Sequence, residues 1–494
     1  MPFRVYTSSA VREMDRHTID SVGVPSAVLM EVAGRAVAEE LVVHWKDACA
    51  SGVLVVAGKG NNGGDGWVVA RYLHQHGIAV EVLSISGVQS GDCARNESIA
   101  RGLGVPVVDP QSASPCGLIV DALLGTGGSG ALRGEAAERV SWMNSHAAPV
   151  LSIDLPSGVC GDTGRVVGPA VRAQATLSLG FAKSGLFGAT SSEYVGAIRV
   201  LNIGLVGPQE PLAEVVCGSW VDQRLPRRAA GGHKGQSGRL VVLAGSREKA
   251  GAAVLCSNAA LAMGCGLVTL VVPAEASHRL EGLGPEVMVE FSDDPTTLDW
   301  SRFTAAAVGP GFGLDSGRAA ILRELYQALP LPALFDADGL TALGSTPGTS
   351  RYPRCLTPHP GEAARLLDLS SGEVQEDRWA AIQRLRALAP CLLKGRYSLI
   401  AEAVGRVRVN MTGSSALSTA GSGDVLTGMS AALLAQEVEP LDALTMASYL
   451  HGWVASRSGR SRLSASELVA GIGPALDAVG QSEKPLSAKS VIGP

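Results

Sequence analysis

Three stretches of this chain carry side chains able to do chemistry at the ends of apolar runs. They are Asn61-Asn62-Gly63-Gly64-Asp65, Asp121 in VDALLGTGGSG, and Asp154 with Ser157 in IDLPSG. Asn62, Asp121 and Ser157 offer hard oxygen donors, which suit a monovalent or divalent cation. Gly58, Gly60 and Gly63 fit G-x-G-x-x-G, and a glycine-rich loop entering a helix presents free amides to phosphate. The oxidoreductase reading of that spacing lacks its acidic ribose partner: Glu81 opens the next strand instead of closing it. Much later, residues 419–435 read TAGSGDVLTGMSAALLA. Gly421, Ser422 and Gly423 precede an Ala/Leu-rich helix, so their amides form an anion hole suited to a phosphoryl group. Asp424, in the first turn, is placed to take a proton from a hydroxyl attacking that phosphoryl.

These residues need rigid elements to hold them. Apolar positions at helical spacing fill residues 9–48, which predicts one or two helices. Strands then alternate with helices: 53–57, 80–85, 117–121 and 150–153 as strands, 64–76, 91–103 and 135–144 as helices. This pattern implies a mostly parallel sheet covered on both faces, with ligands outside the carboxyl ends of the strands. Residues 205–236 are rich in Pro, Gly and Arg and read as a linker. The alternation restarts with a strand at 240–244, a helix at 250–263, a strand at 267–272 and a long helix from about Gly423. The fold class is therefore α/β, with two domains spanning 1–216 and 225–480 and a flexible tail at 481–494.

Composition excludes other classes. The chain has 494 residues, too many for one ordinary core. Hydrophobic residues are 46 % and charged residues 18 %, a globular balance. A formal net charge of −5 without a basic block argues against nucleic acid or an anionic membrane as partner. The first residues carry no apolar leader, and apolar runs are interrupted well short of spanning length, so a cytoplasmic location is expected. Nine cysteines without a C-x-x-C or zinc spacing read as reduced, mostly core thiols.

The strings VREMDRHTID, PSAVLMEVAGRAVAE, GKGNNGGDGWVVARYL, VDALLGTG and IDLPSGV, in that order, resemble the YjeF N-terminal domain. That family is similar to NAD(P)HX epimerases, so the resemblance implies a Rossmann-like three-layer sandwich. It also implies that Asn61, Asn62, Gly63, Gly64 and Asp65, the segment Gly125, Thr126, Gly127, Gly128, Ser129, Gly130 and Ala131, and Asp154 contact a hydrated nicotinamide dinucleotide. A potassium ion is implied on Asn62, Asp121 and Ser157. Epimerisation at C6 of the hydrated ring needs a positioned acid or base. Asp154 is the first candidate; Lys183, in GFAKSGLFG, is the second and reads more simply as a solvated surface lysine.

The GSGD helix start resembles the ribokinase superfamily. HKGQSGRLVVLAGS, GAAVLCSNAALAMGCGLVTL, VGPGFG, DADGL, LTPHPGEAARLL, LLKGRYSLI and SYLHGW narrow the resemblance to ADP/ATP-dependent NAD(P)HX dehydratases. This implies that Lys394, Gly395, Arg396, Tyr397, Ser398 and Gly423 bind the nucleotide. Ala253, Gly313, His359 and Asp424 would contact the hydrated dinucleotide, with Asp424 as catalytic base and Mg²⁺ accompanying ADP. Ser398 stands where the family commonly has Thr and keeps the hydroxyl. NMTGSSALS, before Thr419, departs from the family's usual Gly-Asn and Met-Ala.

The resulting expectation is a bifunctional enzyme that epimerises R- and S-NAD(P)HX and dehydrates the S form with ADP. A homo-oligomer is expected. The alternative is a vitamin-alcohol kinase with a non-catalytic first domain, and a YjeF-like binding scaffold is a further possibility.

Overall fold

The computed structural model describes residues 3–87, 89, 91–127, 130–227, 231 and 234–479. The chain divides into two compact units between Ala213 and Glu214. The stretch read as a linker is partly structured: it contains the strand Ala213–Val215 and the short helix Gly218–Asp222. The expected tail at 481–494 lies outside the described residues.

In the first unit one sheet runs in the order Val80–Ser84, Val53–Ala57, Leu118–Ala122, Val150–Ile153, Ala175–Leu179, Ala197–Leu201. All neighbours are parallel. Val53–Ala57 and Leu118–Ala122 are buried throughout, which is why the first reads as a continuous apolar run and the second as one broken only by Asp121. One face packs under the helices Ser8–Asp20, Ser26–His44, Asn61–Gln75 and Gly91–Gly102, the other under Gly134–Ser145. The result is a three-layer sandwich. From Val53–Ala57 the chain turns to one side for Val80–Ser84 and then crosses to the other for Leu118–Ala122. The strand order therefore reverses at the carboxyl ends of Val53–Ala57 and Leu118–Ala122, where such sheets bind ligands.

The second unit carries a longer sheet in the order Met288–Phe291, Leu267–Val272, Arg239–Leu243, Ala305–Val308, Ala333–Phe335, Arg354–Leu356, Cys391–Leu393, Ser398–Ala401, Val407–Asn410. Pairing is parallel up to Cys391–Leu393 and antiparallel beyond it. Helix Ser422–Ala435 is buried along nearly its whole length and packs closely on Ala250–Ala262. Gly428 makes that approach possible, since a Cβ there would fall 2.1 Å from the Cys256 carbonyl oxygen. Among the described residues, no helix is long and apolar enough to cross a membrane.

Candidate active sites

In the first unit the helix expected from Gly64 begins at Asn61, so residues 61–65 form its first turn and not a loop. Gly60 is the N-cap and no side chain caps the helix, which leaves the leading amides free for an anion. Gly63 and Gly64 serve packing: a Cβ on Gly63 would lie 1.9 Å from the Gly58 carbonyl oxygen, and one on Gly64 2.5 Å from Met30 Sδ. Asn61, Asn62 and Asp65 line a cleft of about 830 Å³ together with Gly125, Thr126, Gly127, Asp154 and Lys183. Gly130 and Ala131 are exposed and do not line it. Gly128 and Ser129 lie outside the described residues.

Asp154 adopts φ 70° at the end of Val150–Ile153, a left-handed conformation that L-residues rarely hold without a reason. Its carboxylate accepts from Thr126 N at 3.2 Å and Leu179 N at 3.3 Å, and it is ion-paired with Lys183. Lys183 is not a solvated surface lysine. It is 1 % exposed, and Nζ also donates to the Leu179 carbonyl at 2.7 Å and Ser178 Oγ at 3.2 Å. A buried ammonium survives only with such partners. Burial first, then the carboxylates of Asp154 and Asp15, push Asp65 well above the ordinary carboxylate value, against the pull of Lys183. Burial and Asp154 also raise Asp15.

Asp121 is fully buried behind this rim. It accepts from Ser157 Oγ at 2.7 Å, Ser157 N at 2.9 Å, Ser152 Oγ at 2.8 Å and Leu123 N at 3.2 Å. Burial raises its pKa in spite of those four bonds. Asn62 is buried, and its amide nitrogen has no hydrogen-bond partner.

Helix Ser8–Asp20 adds cleft residues that sequence reasoning did not assign: Arg12, Asp15, Arg16 and Ile19. Their i, i+3, i+4, i+7 spacing places them on one face, a legible signal within VREMDRHTID. Arg12 also donates to the Thr126 carbonyl at 2.6 Å, tying this helix to the 125–127 segment.

In the second unit helix Ser422–Ala435 starts after Gly421 at φ 84°, again without a side-chain cap. Lys394 and Asp336 lie beside this helix start: a Cβ on Gly423 would be 3.7 Å from Lys394 Nζ and 3.9 Å from Asp336 Oδ2. Asp336, from DADGL, is 1 % exposed. It accepts from Lys394 Nζ at 2.6 Å and Thr427 Oγ1 at 2.6 Å, joining the 394–398 loop to the helix that carries Asp424. Burial first, then Asp336, raise Asp424 to about 6, with Lys394 opposing. Burial works against the Lys394 charge, but Asp336, Glu362 and Asp424 outweigh it and hold its pKa above the usual lysine value. Ala337 is held at φ 50°, so the DADGL turn stores backbone strain beside the site.

The other candidates differ in what they present. His359 is the N-cap of helix Pro360–Leu367: Nδ1 accepts from Gly361 N at 2.9 Å, and Glu362 closes a capping box by accepting from His359 N at 2.8 Å. Glu362 is buried, and burial and Asp336 lift it to about 7. Gly313 donates its N–H to Asp338 Oδ2 at 3.0 Å. The Ala253 side chain is fully buried in Ala250–Ala262 and presents no surface. Gly395 and Arg396 are exposed, Lys394 and Ser398 half-buried, and Tyr397 buried. His451, from SYLHGW, contacts Ser422 Oγ at 3.2 Å and is driven down to about 4 by burial. Asp336, Glu362, Thr427 and His451 sit inside strings that marked the resemblance, yet only tertiary contacts assign them a place.

Two α/β units thus each present an uncapped helix N-terminus beside a buried carboxylate and a lysine, the makings of an enzyme acting on phosphorylated compounds. Residues 26–185 match the family model described as YjeF-related protein N-terminus, and residues 240–468 the one described as NAD(P)H-hydrate dehydratase. The bifunctional NAD(P)H-hydrate repair enzyme Nnr of Moorella thermoacetica is 35 % identical over 490 residues, covering 92 % of both chains. The Escherichia coli K12 enzyme of that name is 33 % identical, covering 95 % of this chain and 93 % of its own. A ribokinase-like superfamily protein from Enterococcus faecalis V583 aligns over 56 % of this chain and 99 % of its own, at 24 % identity and TM-score 0.50, which shows the fold of the second unit. The chain belongs to the family of bifunctional NAD(P)H-hydrate repair enzymes.

Proposed function

We propose that this protein epimerises R- and S-NAD(P)HX in its first unit and dehydrates the S form in its second, with ADP as phosphoryl donor. The observation that carries this reading is the paired layout above within a chain aligned to bifunctional relatives along both units.

In the first unit the amides at Asn61 and Asn62 and the 125–127 segment bind the dinucleotide's phosphates. Asp154, held by Lys183 and two amides, faces the cleft and moves the proton at the C6 hydroxyl as it leaves and returns. The residues also fit potassium. One carboxylate with neutral oxygens matches a single positive charge, and turning the Asn62 amide would put an oxygen at the buried position where its nitrogen has no partner. Asn62, Asp121 and Ser157 would hold the ion, which when bound supplies fixed positive charge beside the helix N-terminus.

In the second unit Asp424 takes the proton from the ring hydroxyl, whose oxygen attacks the terminal phosphoryl group of ADP and releases AMP. Phosphate then leaves with the C–O bonding electrons as a ring proton is lost and the double bond reforms. Phosphate is a far better leaving group than hydroxide. Lys394 and the amides of Gly423 and Asp424 hold the transferring group. Mg²⁺ would be carried mainly by the nucleotide's phosphates, since it keeps most of its waters and takes few protein ligands.

Purified R- and S-hydrates, followed by chromatography with and without ADP, test both halves. If another alcohol is phosphorylated while no NADH absorbance returns, the kinase alternative stands. If the protein fails to speed R/S exchange above the rate without enzyme, the scaffold reading stands for the first unit.

A further inference from the structure

We propose that Arg378 is a positioning residue for nucleotide binding: its guanidinium sets the shape of the 394–398 loop from beneath. The inference rests on the nucleotide role of that loop proposed above. Arg378 opens helix Arg378–Leu385, where a cation opposes the helix dipole. It is 2 % exposed, and its hydrogen-bonded partners are carbonyls and an amide, with no carboxylate among them. NH2 donates to the Leu393 carbonyl at 3.1 Å and the Tyr397 carbonyl at 3.0 Å, and NH1 to the Lys394 carbonyl at 3.1 Å and Gln375 Oε1 at 3.2 Å. Burial lowers its pKa to about 10, so the group stays charged at neutral pH. A buried cation with no carboxylate partner among the described residues is expensive, and the helix dipole disfavours it here, so its stabilisation comes from the carbonyls of Leu393, Lys394 and Tyr397 and from Gln375 Oε1.

A second observation points the same way. A Cβ on Gly395 would lie 2.5 Å from Arg378 NH1 and 2.7 Å from its Cζ. The loop backbone therefore rests directly on the guanidinium, and a larger residue at 395 would have to displace that group from its hydrogen bonds. Three carbonyls turned inward toward Arg378 govern how the intervening amides can face outward, and this fixes the start of the Lys394 side chain, which ends at Asp336. A lysine could not reproduce this, since a planar fork reaches several carbonyls at once and an ammonium does not.

The test is steady-state dehydration of S-hydrate by full-length Arg378→Lys and Arg378→Met, with R/S exchange by the first unit as the internal measure of intact protein. The expected result is a KM for ADP raised at least tenfold, with the KM for the hydrate changed less than about threefold. Gly395→Ala should raise the ADP KM in the wild-type background, and most of that penalty should vanish in the Arg378→Met background, where the guanidinium is gone. Wild-type KM values for ADP in both Arg378 variants, or equal effects of Gly395→Ala in both backgrounds, would overturn the proposal. Failure of the wild type to use any nucleotide would instead overturn the reading it rests on.

Discussion

Asp424→Asn separates chemistry from structure in the second unit. Asn keeps the side chain's size and removes the base. The wild-type carboxyl is lifted to about 6, by burial first and then by Asp336. At pH 7 such a group is ionised in roughly nine molecules of ten, close to the best compromise for a general base. Losing a base of this kind costs about 10²–10⁴-fold, so dehydration should fall at least about 100-fold while R/S exchange continues. The wild-type rate should decline as pH falls through about 6, because the base must be ionised. Stability runs the other way. The folded-state value lies above the ordinary 3.8, so the contribution of this group is fully present below 3.8 and lost as pH rises through about 6. That span corresponds to at most about 3 kcal/mol. The Asn variant escapes the loss and should be more stable than wild type at pH 7 by up to about 3 kcal/mol. Return of NADH absorbance from purified S-hydrate with ADP measures the first effect, and urea unfolding of the same preparations the second. Near-normal dehydration in the variant refutes the base assignment. Lost activity together with lowered stability refutes the electrostatic account.

Three further outcomes are expected. Lys183→Met strands the buried Asp154 carboxylate and should cost about 3–5 kcal/mol in thermal unfolding, most of it recovered with Asp154→Asn, while neither variant epimerises at the wild-type rate. Asn62→Ala should raise at least tenfold the potassium concentration that half-saturates R/S exchange, leaving dehydration unchanged; wild-type exchange indifferent to potassium would defeat this. Gly63→Ala places a Cβ 1.9 Å from a carbonyl oxygen and should destabilise the first unit by at least about 1–3 kcal/mol, as read by denaturation.

Much of the scaffold was legible because buried parallel strands announce themselves. Val53–Ala57, Val150–Ile153 and Leu267–Val272 match their predicted ranges, and the helices between them shift by only a few residues. Ala175–Leu179 and Ala197–Leu201 were not predicted, since Ser and Thr in the first and Arg in the second break the apolar run. The sequence pattern starts this helix at Gly64, three residues late, because Asn61, Asn62 and Gly63 are poor helix formers that only an uncapped, ligand-facing N-terminus makes sensible. Lys183 reads as solvated in the sequence for a related reason: a lysine usually is, and only the three-dimensional position of Asp154 reveals its partner.

The sequence alone therefore determined the two-unit α/β plan, the strand ends that carry polar groups, and Asp424 at a helix start, because periodicity and glycine chemistry are local properties. Tertiary structure decided which charges meet. Asp154 with Lys183, Asp336 between Lys394 and Thr427, and Arg378 beneath Gly395 join residues 17 to 91 positions apart. Their protonation and reach depend on burial and neighbours, which no local pattern encodes.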